Sequence, residues 1–145
     1  MTDLTQQLQD MREEYDGVPL RKSELAECPL TQFSIWLKDA QNADIFDPNA
    51  CSLSTVDDCG APAARAVLLK GLESGKFSFY TNYNSRKAKH LEVNPQATMH
   101  FPWFSLERQV VVSGSVEKVS IKKELSVIVS RNTDGEIKCF PVVEM

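Results

Sequence analysis

The chain has 145 residues, enough for one domain that buries its own core without metal or disulfide support. Its 42% hydrophobic and 25% charged residues are ordinary for a globular protein, and no apolar run approaches the length of a membrane span. A formal net charge of −4 argues against non-specific nucleic-acid binding, so any cation cluster has to act locally.

The start, Met1-Thr2-Asp3-Leu4-Thr5, lacks the basic and apolar regions of a secretion signal, which implies a soluble, cytoplasmic protein. Leu4, Leu8 and Met11 recur at helical spacing, predicting an amphipathic helix over 3–15 that ends near Tyr15-Asp16-Gly17. A helix this short is weakly stable alone and needs the body or a second subunit to hold it. Leu20 to Cys28 reads as a charged connector. From Pro29-Leu30-Thr31 a stronger helix is expected, with Phe33, Trp36, Leu37 and Ala40 as its core stripe and Gln32, Lys38 and Asp39 pointing away. Asp47-Pro48-Asn49 breaks it. Ala50 to Val56 suits a half-buried strand, closed by the turn Asp57-Asp58-Cys59-Gly60.

The next stretch concentrates cations and hydroxyls. Ala66-Val67-Leu68-Leu69, bounded by Arg65 and Lys70, suits a strand buried on both faces. Glu73-Ser74-Gly75 is a turn, and Phe77-Ser78-Phe79-Tyr80 completes a hairpin that delivers Tyr80 and Thr81 to its far end. Asn84 or Ser85 can then cap a helix running from Arg86 to Val93, stopped by Asn94-Pro95. The first turn of that helix carries Arg86 and Lys87, where the macrodipole and free N–H groups favour negative charge. Such a reversal becomes favourable if a phosphate sits there, held by N–H groups, the Ser85 or Thr81 hydroxyl and both cations. Arg65 and Lys70 lie on opposite faces by strict alternation, so both reach one ligand only if Lys70 leaves the strand, which Gly71 permits.

Ala97 to Phe101 is a further strand running into Pro102-Trp103-Phe104, with a turn at Ser105-Leu106. Glu107 to Val119 is the longest strand candidate, and Gly114 within it marks a bulge or bend. Gln109, a neutral amide in a buried-looking run, either bonds neighbouring backbone or reads the polar edge of a ligand. Leu125, Ile128 and Val129 predict a last helix over 121–131, then a turn at Asn132-Thr133-Asp134-Gly135 and a tail from Glu136. Five or six strands with short helices between them give an α+β fold, an antiparallel barrel with flanking helices. Cys28, Cys51, Cys59 and Cys139 show no C-x-x-C spacing, so no metal site is expected. Cys28 and Cys51 read as small, partly buried thiols, and His90 as a surface or packing residue.

These residues resemble the pyridoxine (pyridoxamine) 5′-phosphate oxidases, homodimeric flavoproteins with an FMN-binding split β-barrel. The resemblance runs from Met11-Arg12-Glu13-Glu14-Tyr15 through Pro29-Leu30-Thr31, Arg65 to Lys70, Phe79-Tyr80-Thr81-Asn82, Ser85-Arg86-Lys87 and Phe101-Pro102-Trp103 to Leu106-Glu107-Arg108-Gln109-Val110. It implies one split-barrel domain over 1–145, with residues 1–28 as N-terminal helix and connector and 121–145 as a divergent tail. It also implies an FMN site built from Arg65, Ala66, Val67, Leu68, Leu69, Lys70, Tyr80, Thr81, Arg86, Lys87 and Gln109. Arg65, Thr81, Arg86 and Lys87 would hold the phosphate, Val67 and Leu68 would line the flavin, and Gln109 would meet its polar edge. Lys70, Arg131, Arg12 and Tyr15 would contact the substrate, a phosphorylated B6 vitamer. Each site would draw on two subunits, with no nucleic-acid or membrane partner. The reaction implied is oxidation of pyridoxamine or pyridoxine 5′-phosphate to pyridoxal 5′-phosphate, with dioxygen as the final acceptor.

The departures lie near the C-terminus. Where the family binds the substrate phosphate with a Tyr, an Arg and a Ser spaced by four, this chain has Val127, Arg131 and Gly135. Each lost hydrogen bond to a phosphate would weaken binding by roughly 1.5–3 kcal/mol. The family's later Gln-Ser pair, its further Trp and Arg at the flavin, and its Arg-x-His segment have no counterpart before Met145. An oxidase impaired by these losses is the first expectation. A nicotinamide-dependent flavin reductase and a non-catalytic flavin-binding protein are the alternatives.

Overall fold

The computed structural model describes residues 3–11, 14, 16–17 and 19–118, together with the backbone of two further strands at 125–129 and 136–141. Its elements are helices α1 (Leu4–Asp10), α2 (Pro29–Asn42) and α3 (Arg86–Val93) and strands β1 (Ala50–Val56), β2 (Pro62–Glu73), β3 (Lys76–Tyr80), β4 (Gln96–Trp103), β5 (Arg108–Lys118), β6 (Leu125–Val129) and β7 (Glu136–Pro141). The first helix stops at Asp10, short of the expected Tyr15–Gly17 end, and it buries no residue.

All strand pairings are antiparallel, in the order β4-β1-β2-β3-β6-β5-β7, and β4 also pairs with β5. Six strands, β1-β2-β3-β6-β5-β4, therefore close on one another, and β7 adds to β5. Closure removes the exposed sheet edges that would otherwise invite pairing with another chain. The strand β6 replaces the helix expected over 121–131. Leu125-Ser126-Val127-Ile128-Val129 is rich in β-branched residues, and only a strand can bridge β3 and β5, so ring closure overrides the helical spacing. The tail from Glu136, to which the sequence reading assigns no element, supplies β7.

Gly114 causes no bulge. It faces Ala97 in regular register with β4, while on its other edge β5 changes partner from β7, at 108–113, to β6, at 115–118. The change of partner takes the place of a slipped register. The register slip lies instead at Lys70, the unpaired residue between the Leu69–Phe79 and Gly71–Ser78 pairs. The β2–β3 hairpin turns through Ser74 and Gly75 with φ of 51° and 80°. Two left-handed residues match the right-handed twist of the strands they join.

Strand β2 is not buried on both faces. Leu69 is its single buried residue, and Ala64, Ala66 and Leu68 are exposed because none of the described residues covers the outer side of the sheet there. The inner side is a full core. Phe33 of α2 plugs the barrel, its ring centroid 5.0 Å from Phe77 and 5.0 Å from Phe101, both edge-on, and 5.7 Å from Trp103. Trp103 Nε1 donates to the Pro48 carbonyl at 2.9 Å, which ties the strand to the loop before β1. The α2 stripe holds for Phe33, Trp36 and Ala40, but Gln32 is buried with them. Its Oε1 accepts from the Ala26 N–H at 2.8 Å, so the connector's backbone satisfies an amide that composition alone places outside. On the next turns Arg108 stacks over Trp36 at 5.0 Å and pairs with Asp39 at 2.7 Å, fixing α2 against the start of β5.

Phe33 is wholly buried and touches three other rings, so truncation leaves a void that rigid β-strands cannot fill. Phe33→Ala is expected to lower unfolding free energy by about 3–5 kcal/mol, measured by chemical denaturation.

Candidate functional site

The site is assembled at the rim where β1, β2 and α3 meet. Strand β1 alternates inward Cys51, Leu53 and Thr55 with outward Ser52 and Ser54, which places one hydroxyl on an otherwise apolar inner face. Arg65 pairs with Leu53 across the β1–β2 ladder. Its Nη1 donates to the Leu53 carbonyl at 3.0 Å and to Thr55 Oγ1 at 2.7 Å.

Helix α3 packs on β1 and brings the second guanidinium. Ser85 is its N-cap, accepting from the Ala88 N–H at 3.4 Å, and Thr81 Oγ1 lies 3.3 Å from Ser85 Oγ. Arg86 Nε donates to His90 Nε2 at 3.3 Å, and His90 Nδ1 lies 3.0 Å from Thr55 Oγ1. Arginine can only donate, so Nε2 is the acceptor and the ring proton sits on Nδ1, pointing at Thr55. A continuous path thus runs Arg65–Thr55–His90–Arg86, with Thr81 and Ser85 beside its far end. His90 is 6% exposed and Thr55 1%.

The electrostatics agree with this geometry. The Arg65 guanidinium is held below the ordinary arginine range, first by its partial burial and then by the positive charge of Arg86. Among the described residues the ion pairs are Lys76–Glu117, Arg108–Asp39 and Lys118–Glu92, and none includes Arg65, Arg86 or Lys87. The rim cations stand with hydroxyls at a helix start whose first turn contains no acid. This donor set fits a phosphate group: two guanidinia, a half-buried lysine, hydroxyls and N–H groups, with no ion pair to a carboxylate among the described residues.

The structure brings Arg65, Thr81 and Arg86 together, and Lys87 follows in the same turn. Ala66, Val67, Leu68 and Leu69 continue along β2, and Tyr80, 48% exposed, precedes Thr81. Lys70 is the unpaired residue of the bulge, yet it is exposed on the same side as Ala64, Ala66 and Leu68, opposite to Arg65, so the alternation is kept and no hydrogen bond among the described residues joins it to the rim cluster. Gln109 stands apart on β5, where His100 Nε2 lies 2.9 Å from its Oε1. Across the strands Ala66, Ser52 and His100 form one row, and an open groove of about 360 Å³ runs along Ala50, Cys51, Ser52, Ala64, Arg65, Ala66 and Pro102, the last paired with Gln109. Arg12, Tyr15 and Arg131 lie outside the described residues, as does the turn expected at 132–135.

Reading the sequence missed Thr55, and of the two readings given to His90, surface or packing, burial bears out packing, with two hydrogen-bond partners that the sequence reading did not find. Two signals existed: a polar residue at the inward position of β1, and a histidine four residues after Arg86 on one helix face.

The cysteines divide by environment. Cys28 is exposed, against the expectation of partial burial, because it sits at the N-cap position of α2. The backbone N–H groups of Thr31 and Leu30 at the start of α2 favour its thiolate and lower its pKa. Cys51 is buried, and its thiol is pushed up to about 12. At the turn, Asp57, Asp58 and Cys59 come within 4.8 Å of one another, but Asp57 Oδ1 already accepts from the N–H groups of Cys59 and Ala61.

A split barrel carrying uncompensated cations on one rim is the class that fold and site define. A family model described as pyridoxamine 5′-phosphate oxidase matches residues 37–134. A pyridoxine/pyridoxamine 5′-phosphate oxidase from Alteromonas mediterranea is 44% identical over 133 residues, covering 92% of this chain and 63% of that protein. Its counterpart from Aliivibrio salmonicida is 43% identical over 134 residues, covering 92% and 64%. The chain therefore belongs to the pyridoxamine 5′-phosphate oxidase family, and it spans just under two thirds of the length of these curated relatives. Among solved structures it is similar to PhzG from Burkholderia lata 383 in complex with tetrahydrophenazine-1-carboxylic acid, with a TM-score of 0.67 and 23% identity, over 72% of this chain and 52% of that one. A pyridoxamine 5′-phosphate oxidase-related FMN-binding protein from Nostoc punctiforme gives a TM-score of 0.57 and 18% identity, over 67% and 52%. Both support the split-barrel fold.

Thiolate fraction sets the rate of alkylation, and a lowered pKa enlarges that fraction at any given pH. Brief iodoacetamide treatment near neutral pH, followed by peptide mapping, is expected to label Cys28 ahead of Cys51, with Cys51 modified only after denaturation.

Proposed function

We propose that this chain forms the FMN-binding barrel of a cytoplasmic oxidase acting on pyridoxamine and pyridoxine 5′-phosphate, assembled as a homodimer with a flavin site at each subunit interface. The observation that carries this reading is the pairing of Arg65 and Arg86 through Thr55 and His90, with no carboxylate joined to either guanidinium among the described residues. Arg65, Thr81, Arg86 and Lys87 would bind the FMN phosphate. Ala66, Val67, Leu68, Leu69 and Tyr80 would line the flavin's approach, and Lys70 would serve flavin and substrate together.

The His100 contact orients Gln109. With Oε1 engaged by a ring N–H, the amide nitrogen is the end free to donate to a ligand. Arg12, Tyr15 and Arg131 are proposed as substrate contacts. The exposed outer face of β2, with Ala64, Ala66 and Leu68 above a groove of small residues, supports close approach of a second subunit. A flavin held by these residues would supply hydride-accepting and dioxygen-reducing chemistry, with hydrogen peroxide as co-product and, for the amine substrate, water taken up and ammonia released as the aldehyde forms. The chain's own part is to hold the phosphate and the ring in place, so that binding energy is spent on orientation.

Val127 and Gly135, standing where the family has a Tyr and a Ser, favour a second reading, a flavin reductase with a nicotinamide donor. The purified chain, loaded with FMN and given pyridoxamine 5′-phosphate, is expected to release peroxide. Full flavin occupancy without turnover rejects the oxidase, and bleaching of the flavin by NADPH without any B6 compound selects the reductase. Arg86→Ala is expected to weaken FMN binding by about 10- to 100-fold, the worth of a charge-assisted hydrogen bond, measured by quenching of flavin fluorescence.

A further inference from the structure

We infer that His90 is a positioning residue for phosphate recognition: through Thr55 it sets Arg65 and through its own ring it sets Arg86, so that both guanidinia are aimed before a ligand arrives. The inference rests on the proposal that this rim takes the FMN phosphate, and it assigns the buried pair behind the rim a part in that recognition.

The argument begins with what two neighbouring guanidinia do when left alone. Like charges in a partly buried setting repel, and long side chains relieve the repulsion by turning to solvent. Here they are restrained. Arg65 is held by the Leu53 carbonyl and Thr55 Oγ1, at 3.0 and 2.7 Å. Arg86, exposed along most of its length, is held by His90 Nε2 at 3.3 Å. His90 and Thr55 are both buried and joined at 3.0 Å, so each arginine is anchored to the same inner pair.

The chemistry of the anchor matters. A carboxylate at position 90 would restrain Arg86 equally well, but it would neutralise the charge and compete with the ligand. A lysine would repel it. Imidazole offers one acceptor and one donor on opposite edges of a rigid ring, which is what bridging an arginine and a hydroxyl requires. Thr55 can accept from Arg65 and from the ring together, since a hydroxyl oxygen has two lone pairs. The outcome is a pair of cations fixed in direction without loss of charge, and the ordering cost is met by folding instead of by binding.

The ligand consequence is specific. FMN and riboflavin share the flavin ring and differ in the phosphate, so a loss of aim at the rim lowers affinity for the first and spares the second. The test is titration of the purified chain with FMN and with riboflavin, read by flavin fluorescence, for the unaltered protein, His90→Leu and Thr55→Val. Thr55→Val conserves shape and removes only the hydroxyl, and it decides the matter should His90→Leu fail to fold by circular dichroism. Each variant is expected to lose about 10-fold or more in FMN affinity with riboflavin affinity unchanged. A merely structural role for the pair lowers both affinities in parallel and overturns the inference, as does an unchanged preference for FMN. If the unaltered protein itself shows no preference for FMN over riboflavin, the phosphate reading of the rim falls, and this inference falls with it.

Discussion

Everything at the rim depends on one constraint: two guanidinium groups are kept close to each other on a surface where each could escape into water. The register of β1 against β2 makes this possible. Arg65 faces Leu53, and from that position its side chain reaches the Leu53 carbonyl and, two residues along the strand, the Thr55 hydroxyl. A slip of one residue would turn Arg65 to the outer face and leave Thr55 without its donor. Register here is thus a chemical as well as a structural specification.

That register is held by the core. Leu53 and Met99 are fully buried and directly paired across β1 and β4, while Phe77 and Phe79 do the same work on β3. Phe33, Phe101 and Trp103 fill the space under α2. Because the six strands close on one another, no pairing can slip without forcing its neighbours to follow. The bulge at Lys70 is the exception that the sheet accommodates, and it lies beyond the stretch that carries Arg65. A rigid inner barrel therefore supports a rim whose exposed atoms are polar and charged.

How much of this could be read from residues alone varies with the range of the interaction. Strand β1 and helix α3 follow from short-range signals: alternation bounded by turn residues for Ala50–Val56, and a serine cap with an Asn-Pro stop for Arg86–Val93. The reversed charge on the first turn of α3 also showed, since it breaks a local rule. The strand β6 did not, because Leu125, Ile128 and Val129 fit helical spacing as well as a β-branched strand, and the choice is made by distant partners β3 and β5. Gln32 failed for a related reason. An amide reads as surface until a backbone N–H, here that of Ala26, is known to meet it. His90 is the clearest case: its contact with Arg86 is four residues away and legible, whereas its contact with Thr55 spans 35 positions and is fixed only by the docking of α3 on β1.

Positive charge meets two kinds of partner among the described residues. Lys76, Arg108 and Lys118 each meet a carboxylate, and surface pairs of this kind contribute little individually, about 0–1 kcal/mol, but they leave no net field to attract an anion. At the rim, hydrogen bonds to neutral acceptors orient the guanidinia, and no ion pair among the described residues offsets their charge. Partial burial and the charge of Arg86 both disfavour the Arg65 cation. A local cost of this sort, on a protein with net charge −4, is the physical counterpart of a site kept ready for a phosphate that ordinary folding would have had every reason to neutralise.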